Sequence, residues 1–388
     1  MMNATKRVPK LRFPGFSDEW EEKKLGDLAQ VKTGNLNVED AQDDGQFTFF
    51  DRSEAIKKYD EYSFDNEALI YGGEGSEFLP RYFKGKYGLH QRAYTVFNVN
   101  GTVMKFLYYF MLTQNNHFLR MAVGSTVKSL RMDCFTKCIV PVPDLEEQQE
   151  IAGFLGVVDD KISALRKKKE LLQKYKKGII QKIFSQEIRF KDQDRKDYPA
   201  WQDKTLGEIG KFYRGLTYNS NNVQSTGKLV LRSSNIQKGK LVLYKDLQFV
   251  NKAIPEQIKL KHNDIVVCMS NGSKRLVGKI GVFDGNYDQE ITVGAFCSIC
   301  RGSSKLLPYL FQTVEYRKYL HVLLSGTNIN NLNNSDLEAL VFKLPSSEIE
   351  QEKISEFLAS IDEKIEAEER RLEQAKQFKK ALLQQMFV

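Results

Sequence analysis

Pro143-Asp144 followed by Asp159-Asp160-Lys161 satisfies on paper the pattern of a metal-dependent nuclease, with carboxylates to hold a divalent cation and a lysine to meet a phosphate. That chemistry sets its carboxylates on adjoining strands, whereas Asp159 and Lys161 fall inside a helical repeat. A second stretch of similar sequence has Asp362-Glu363-Lys364 but Ser346 in place of the first Asp, so a helix surface is the better explanation of the match. Gly272 to Lys279 resembles a phosphate loop, but five residues separate Gly272 from Gly278 where four are needed, and Ile280 replaces the Ser/Thr. Cys297 and Cys300 form a lone CxxC in a strand-like run without a second pair at zinc spacing, and Cys134 and Cys138 lie in another apolar stretch; core cysteines are expected and no metal site. No Asn-Pro-Pro-Tyr motif of the kind amino-methyltransferases use is present, and four scattered histidines give no acid–base cluster. No catalytic residue is expected.

The polar loops are more purposeful. In the first half they carry Arg52, Ser53, Arg81, Lys84, Lys86, Gln91, Arg92, Ser125, Thr126, Lys128 and Arg131. In the second half they carry Arg214, Asn219, Asn221, Arg232, Ser233, Ser234, Asn235, Asn271, Lys274, Arg275, Asn328, Asn330 and Asn331. These side chains read base edges or grip phosphates, and as a set they point to DNA binding, although Asn and Ser singly also fill ordinary turns.

The elements that must position these loops come in two copies. Trp20 to Leu28 lines up with Trp201 to Ile209 at an offset of 181, and Gln148 to Phe184 with Gln351 to Phe387 at an offset of 203. The ends of the two copies agree while the middles, about 36–100 and 217–302, diverge; drift alone would not spare the ends. Each copy reads as short strands (Phe47–Phe50, Ala68–Tyr71 and Tyr94–Phe97; Leu229–Arg232, Ile265–Met269, Lys279–Phe283 and Ile291–Ile299). A helical stretch, a glycine turn (Gly124; Gly326) and a strand ending at Pro143 or Pro345 follow. The expected fold is mixed α/β (α+β): two repeated globular domains, 1–143 and 188–345, separated by long antiparallel coiled-coil helices, 144–187 and 346–388.

Heptad spacing supports the rods. Ile151, Leu155, Val158, Ile162, Leu165 and Leu172 step by four and three or by a whole heptad, and Ile354, Leu358, Ile361, Ile365 and Leu372 repeat the pattern with Glu368 interrupting it. These positions are expected to form the seam and to dock partners. Residues 161–182 hold nine cations against Glu170 alone, a net +8 that equals the formal charge of the whole chain. The run has two readings, DNA backbone contact or partner docking, beside the plain one of a solvated helix face. Hydrophobic residues at 41% and charged residues at 28% exclude a disordered chain. Phe106–Leu112 is far short of the ~20 apolar residues of a membrane helix, Met1–Lys10 is no secretory signal, and five cysteines fit a reducing compartment, so a cytoplasmic location is expected and no membrane association.

Phe13-Pro14-Gly15-Phe16, Trp20, Lys24-Leu25-Gly26-Asp27 and the run from Pro141-Val142-Pro143-Asp144-Leu145-Glu146-Glu147-Gln148 to Ile151 carry a resemblance that spans the chain. Its second copy, Leu344-Pro345 to Ile354, places Glu350-Gln351 one residue late. The sequence resembles the specificity (S) subunit of type I restriction-modification systems. The resemblance implies one target recognition domain per half of a bipartite, asymmetric site in double-stranded DNA, with the helices fixing the spacer and docking two modification (methyltransferase) subunits. Restriction/translocase subunits would complete the complex; S-adenosylmethionine, ATP and Mg would belong to those partners, and this chain would be a non-catalytic recognition subunit. The alternatives are a nuclease using Asp144, Asp159 and Lys161, or a coiled-coil scaffold with two protein-binding heads.

Overall fold

The computed structural model describes residues 8–42, 44–53, 55–325 and 330–387. It resolves into two compact units: residues up to 167 together with 368 onward, and residues 168–367. Each unit therefore takes the head of one long helix and the tail of the other, and the body between them. The helices run Leu145–Phe184 and Glu348–Met386.

In the first unit a six-stranded sheet has the order Gln30–Thr33, Ala93–Phe97, Phe64–Gly72, Arg81–Leu89, Phe47–Phe50, Lys57–Tyr59. All pairings are antiparallel except Phe47–Phe50 with Arg81–Leu89. Residues 68–71 read as an unbroken apolar run because both sheet faces are covered: Leu69 and Tyr71 face the helices, Ala68 and Ile70 a second core with Phe50, Tyr87 and Leu89. The second unit repeats the plan. Ile265 and Val267 face its helices, Val266 and Cys268 a second core. It adds the Ile236–Leu241 hairpin to its main sheet and has a separate four-stranded sheet, which use the extra length of this copy.

Two segments depart from expectation. Arg81 to Tyr87 is a strand, not a loop; Lys84 and Lys86 are exposed and Tyr87 buried, an alternation that runs through Gly85, whose φ is +124°. The run 291–299 is two strands, Ile291–Val293 and Cys297–Arg301, split by a turn in which Cys297 N–H donates to Gly294 O (2.8 Å). On the second of these, Cys297 and Cys300 point to opposite faces, one into each core, so they cannot share a metal. All five cysteines are buried, and burial pushes the Cys138 and Cys297 thiols up to about 12.

The repeated ends are the frame. Glu21–Lys24 pairs with Ile139–Val142, and Gln202–Thr205 with Val341–Leu344, both antiparallel. A Cβ at Gly26 would lie 3.1 Å from the Thr136 Cβ, and one at Gly207 3.1 Å from the Glu338 Cβ, so the shared Leu-Gly step lets two short helices pack closely. Each long helix is capped alike: Asp144 Oδ1 accepts from Glu147 N–H (2.8 Å), and Ser347 Oγ from Glu350 N–H (3.4 Å). The extra residue of the second copy is absorbed ahead of this cap, and Gln148 and Gln351 still donate to Pro143 O and Pro345 O (2.9 and 2.8 Å).

Buried acids lock each body to its helix. Arg12 Nε and Nη2 donate to Glu147 (2.7 and 2.8 Å) and Trp20 Nε1 donates to the same carboxylate (3.1 Å). Arg189 and Trp201 hold Glu350 in the same way, at 3.0 and 3.2 Å. Both carboxylates have no solvent exposure, so they are stable only because they are charge-paired and hydrogen-bonded.

The helix seam continues into the two bodies. Ile151 and Leu155 are buried in the core of the first body with Leu382 and Met386 from the other helix and Phe387 just past its end, and Ile354, Leu358 and Ile361 in the second core with Ile180 and Ile183. Ile162, Leu165 and Leu372, with Val158 and Ala375 packed against them, form a separate helix–helix cluster. The first turns bury their stripe against their own body because the body reaches them. These residues pack the fold and are closed to partners; Leu172 is half-buried, and Ile365 packs at the edge of the second core.

Within each unit the helices run antiparallel. Lys379 Nζ bonds Asp159 (2.6 Å) in the first unit and Lys176 Nζ bonds Asp362 (2.6 Å) in the second. The 203-residue offset turns one contact into the other. Each lysine also lies over a tyrosine ring, Tyr109 at 5.2 Å and Tyr309 at 5.3 Å, whose hydroxyl pKa is raised by burial and then by the aspartate. The helix heads are acidic and the tails basic, so antiparallel packing sets opposite charges side by side.

Candidate nucleic-acid interface

The divergent middles converge on one corner in each body, built by equivalent backbone bonds. In the first, Gly73 N–H donates to Arg92 O (2.9 Å), Leu130 N–H to Gly73 O (2.8 Å), and His90 N–H to Phe50 O (2.9 Å). In the second, Met269 N–H donates to Phe296 O (2.8 Å), Leu332 N–H to Met269 O (2.8 Å), and Gly294 N–H to Leu231 O (2.8 Å). The strand registers match throughout: Gly72 opposes Ala93 as Cys268 opposes Cys297. Arg92 and Phe296 therefore occupy one structural position, as do the segments after Phe50 and after Leu231.

The first corner brings together Arg52, Ser53, Arg81, Gln91, Arg92 and Lys128. Glu74 pins two of its arginines, accepting from Arg52 Nη1 (2.8 Å) and Arg92 Nη1 (3.0 Å). The bond from Arg52 leads in holding the Glu74 carboxyl below its usual range. Both arginines keep more than half of their side chains exposed. Glu74-Gly75 pairs with Lys128-Ser129, which sets the exposed Ser125 and Thr126 at the tip of the neighbouring loop, with Arg131 just beyond it. Arg81 donates to Ser53 O and lies over the Phe50 ring at 5.6 Å, and Gln91 Nε2 donates to Asn37 Oδ1 (2.8 Å). Burial holds the His90 imidazole below its ordinary value. Lys84 and Lys86 sit elsewhere, on the exposed face of their strand, Lys86 over the Tyr62 ring at 4.6 Å.

The second corner is built from amides and hydroxyls. Asn271 Nδ2 donates to Ser233 Oγ (3.1 Å), Asn330 Nδ2 to Gly272 O (3.1 Å), and Asn331 bridges Ser270 through the backbone. Lys274 and Arg275 follow in an exposed turn of 3-10 helix, Arg214 ends the strand beside the turn, and Arg232 is tied to Asp246 (2.9 Å) with Ser234 following it. Asn235, expected as a DNA contact, is 1% exposed: its side chain accepts from Arg232 N–H and donates to the carbonyls of Val242, Lys245 and Asp246, which makes it a structural pin. Asn219 and Asn221 lie apart from this corner, where Asn219 caps a short 3-10 turn. Asn328, with the turn at Gly326, falls outside the described residues. Glu74, Asn37 and Phe296 were missed by sequence reasoning because only long-range strand pairing brings them to the corners.

The carboxylates of the nuclease reading are otherwise engaged, Asp144 as a helix cap and Asp159 with Lys379 and Tyr109. Among the described residues no three His, Cys, Asp or Glu side chains group as metal ligands, and no helix is long and apolar enough to cross a membrane.

A family profile for the type I restriction modification DNA specificity domain matches the chain twice, over residues 17–174 and 199–377. The type I restriction enzyme MjaVIII specificity subunit of Methanocaldococcus jannaschii is 26% identical over 406 residues, covering 97% of this chain and 93% of its own. The StySPI specificity subunit of Salmonella potsdam is 31% identical over 197 residues, 47% of this chain and 42% of its own. A type I restriction-modification S subunit from M. genitalium has the same fold, with a TM-score of 0.61 at 18% identity over 98% of this chain and 99% of that one. Two profile matches that each span one body and much of one long helix settle the assignment: this chain belongs to the type I restriction-modification DNA specificity family.

Proposed function

We propose that each corner reads one half of a split, asymmetric sequence in double-stranded DNA. The observation that carries this is one backbone frame presenting two chemistries, Arg52-Glu74-Arg92 in the first body and Asn271-Ser233-Asn330 in the second. Guanidinium and amide groups read base edges, while Lys128, Lys274 and Arg275 grip phosphates. The long helices set the spacer. Partner docking falls on their outward apolar residues, with Val157 in the first unit and Leu171 and Tyr175 in the second all more than half exposed, rather than on the buried seam. The chain works in the cytoplasm with two modification subunits and the restriction/translocase subunits, which bring S-adenosylmethionine, ATP and Mg; it contributes recognition and no reaction centre of its own.

The test is co-expression with the modification subunit and mapping of methyladenine across host DNA by single-molecule sequencing. A split motif with a fixed spacer, lost when this chain is omitted, is expected. A soluble complex that leaves no methylation sinks the reading, and cleavage by the chain alone would replace it with the nuclease. Exchanging residues 36–130 should alter one half-site only, and deleting one heptad within 151–183 should shorten the helix by ~10 Å and change the spacer alone.

A further inference from the structure

Phe296 is 69% exposed, while Cys297 and Ile299 beside it are buried. Its backbone is fixed, with the carbonyl accepting from Met269 N–H (2.8 Å) and Ser270 N–H (3.2 Å). The ring belongs to no core and has no aromatic partner among the described residues. A rigid turn thus holds a phenyl group in water, which the hydrophobic effect disfavours, at the position where the first body presents Arg92.

We propose that Phe296 is a specificity-determining residue of the second half-site, and that its ring contacts the 5-methyl group of a thymine. The inference rests on the DNA-reading function proposed above. Among base edges in the major groove the thymine methyl is the apolar group, and phenylalanine is a side chain that meets it. The exposed Asn331, bridged through the backbone to Ser270 beside the same turn, has the carboxamide that pairs with adenine, the partner of that thymine. At the matching point of the first body the Arg92 guanidinium suits guanine instead.

The experiment uses the purified complex with its modification subunits and duplexes carrying the mapped site, in which each thymine of the second half-site is replaced in turn by uracil. For the wild type, one replacement should weaken binding about fourfold, the worth of one buried methyl. Phe296→Ala should weaken binding to the unmodified site roughly tenfold and lose its response to uracil at that position, while Phe296→Leu keeps the response. Thymines of the first half-site should respond identically in wild type and variant. Thermal unfolding of Phe296→Ala should match the wild type, because the side chain is exposed. Unchanged affinity and motif for Phe296→Ala would overturn the proposal, and so would weakened binding with full uracil sensitivity retained, which would place the ring elsewhere. A wild-type complex that recognises no split site would sink the parent reading and this one with it, an outcome distinct from a variant that behaves like wild type.

Discussion

The two corners share their backbone hydrogen bonds and differ in nearly every side chain. The first is charged, with Glu74 between two half-exposed arginines; the second is neutral at its centre, with Asn271 and Asn330 bonded to Ser233 and Gly272. None of the main-chain bonds that build the corner needs a particular side chain, so its chemistry can change without cost to the frame. The buried clamp is the opposite case. Glu147 and Glu350 meet the same pair of residue types in both units, because a carboxylate without solvent contact has to keep both its cation and its tryptophan.

The sharpest break of this contrast is Glu147→Ala. It strands Arg12, whose side chain is 10% exposed, and should destabilise the first unit by about 3–5 kcal/mol. Glu350→Ala should cost its unit less, since Arg189 is 23% exposed and water can reach it. Hydrogen exchange followed peptide by peptide by mass spectrometry, with both tryptophans kept in their clamps, reports which unit opens; equal losses would contradict the argument. Next in size is Leu372→Ala in the seam with Ile162 and Leu165, expected to cost about 2–3 kcal/mol while leaving both half-sites intact in methylation maps. A smaller effect separates the corners. Lys128→Ala should lower the slope of log affinity against log salt by about one without changing the motif, whereas Arg92→Ala should relax the first half-site and Phe296→Ala should leave the slope unchanged. The smallest concerns Asp159–Lys379 and Asp362–Lys176. Double-mutant cycles should give matching couplings of roughly 0.5–1 kcal/mol, and a large difference would show that the sequence repeat does not carry equal energetics into the helices.

The frame was legible in the sequence because its signals are local. A proline, a cap residue and a Glu-Gln pair announce each long helix, and the heptad steps carry it to its end. What covers the seam was not legible, because periodicity shows which face is apolar without saying what lies against it; Ile151 and Leu155 also meet a body whose distance from the helix no local pattern encodes. The strand over Arg81–Leu89 was hidden by its lysines and Gly85, although Phe83, Lys84, Lys86 and Tyr87 already alternate as a half-buried strand does. At the corners, residue type alone picked out Arg52, Arg92, Asn271 and Asn330. It could not separate Asn235, which spends its amide on three carbonyls, from an asparagine left free to read a base.

The division of the long helices between units has a consequence for the order of assembly. The second unit is one continuous stretch of chain, whereas the first recruits Leu382, Met386 and Phe387 into a core that begins at Trp20. During synthesis the body made first therefore waits for residues 382–387, and the unit of residues 168–367 is free to close earlier. Until then Trp20, Phe106 and Phe110, which pack against Phe387 in the finished protein, lack their cover. A nascent chain made only as far as residue 367 would hold the second unit whole and the first without part of its core.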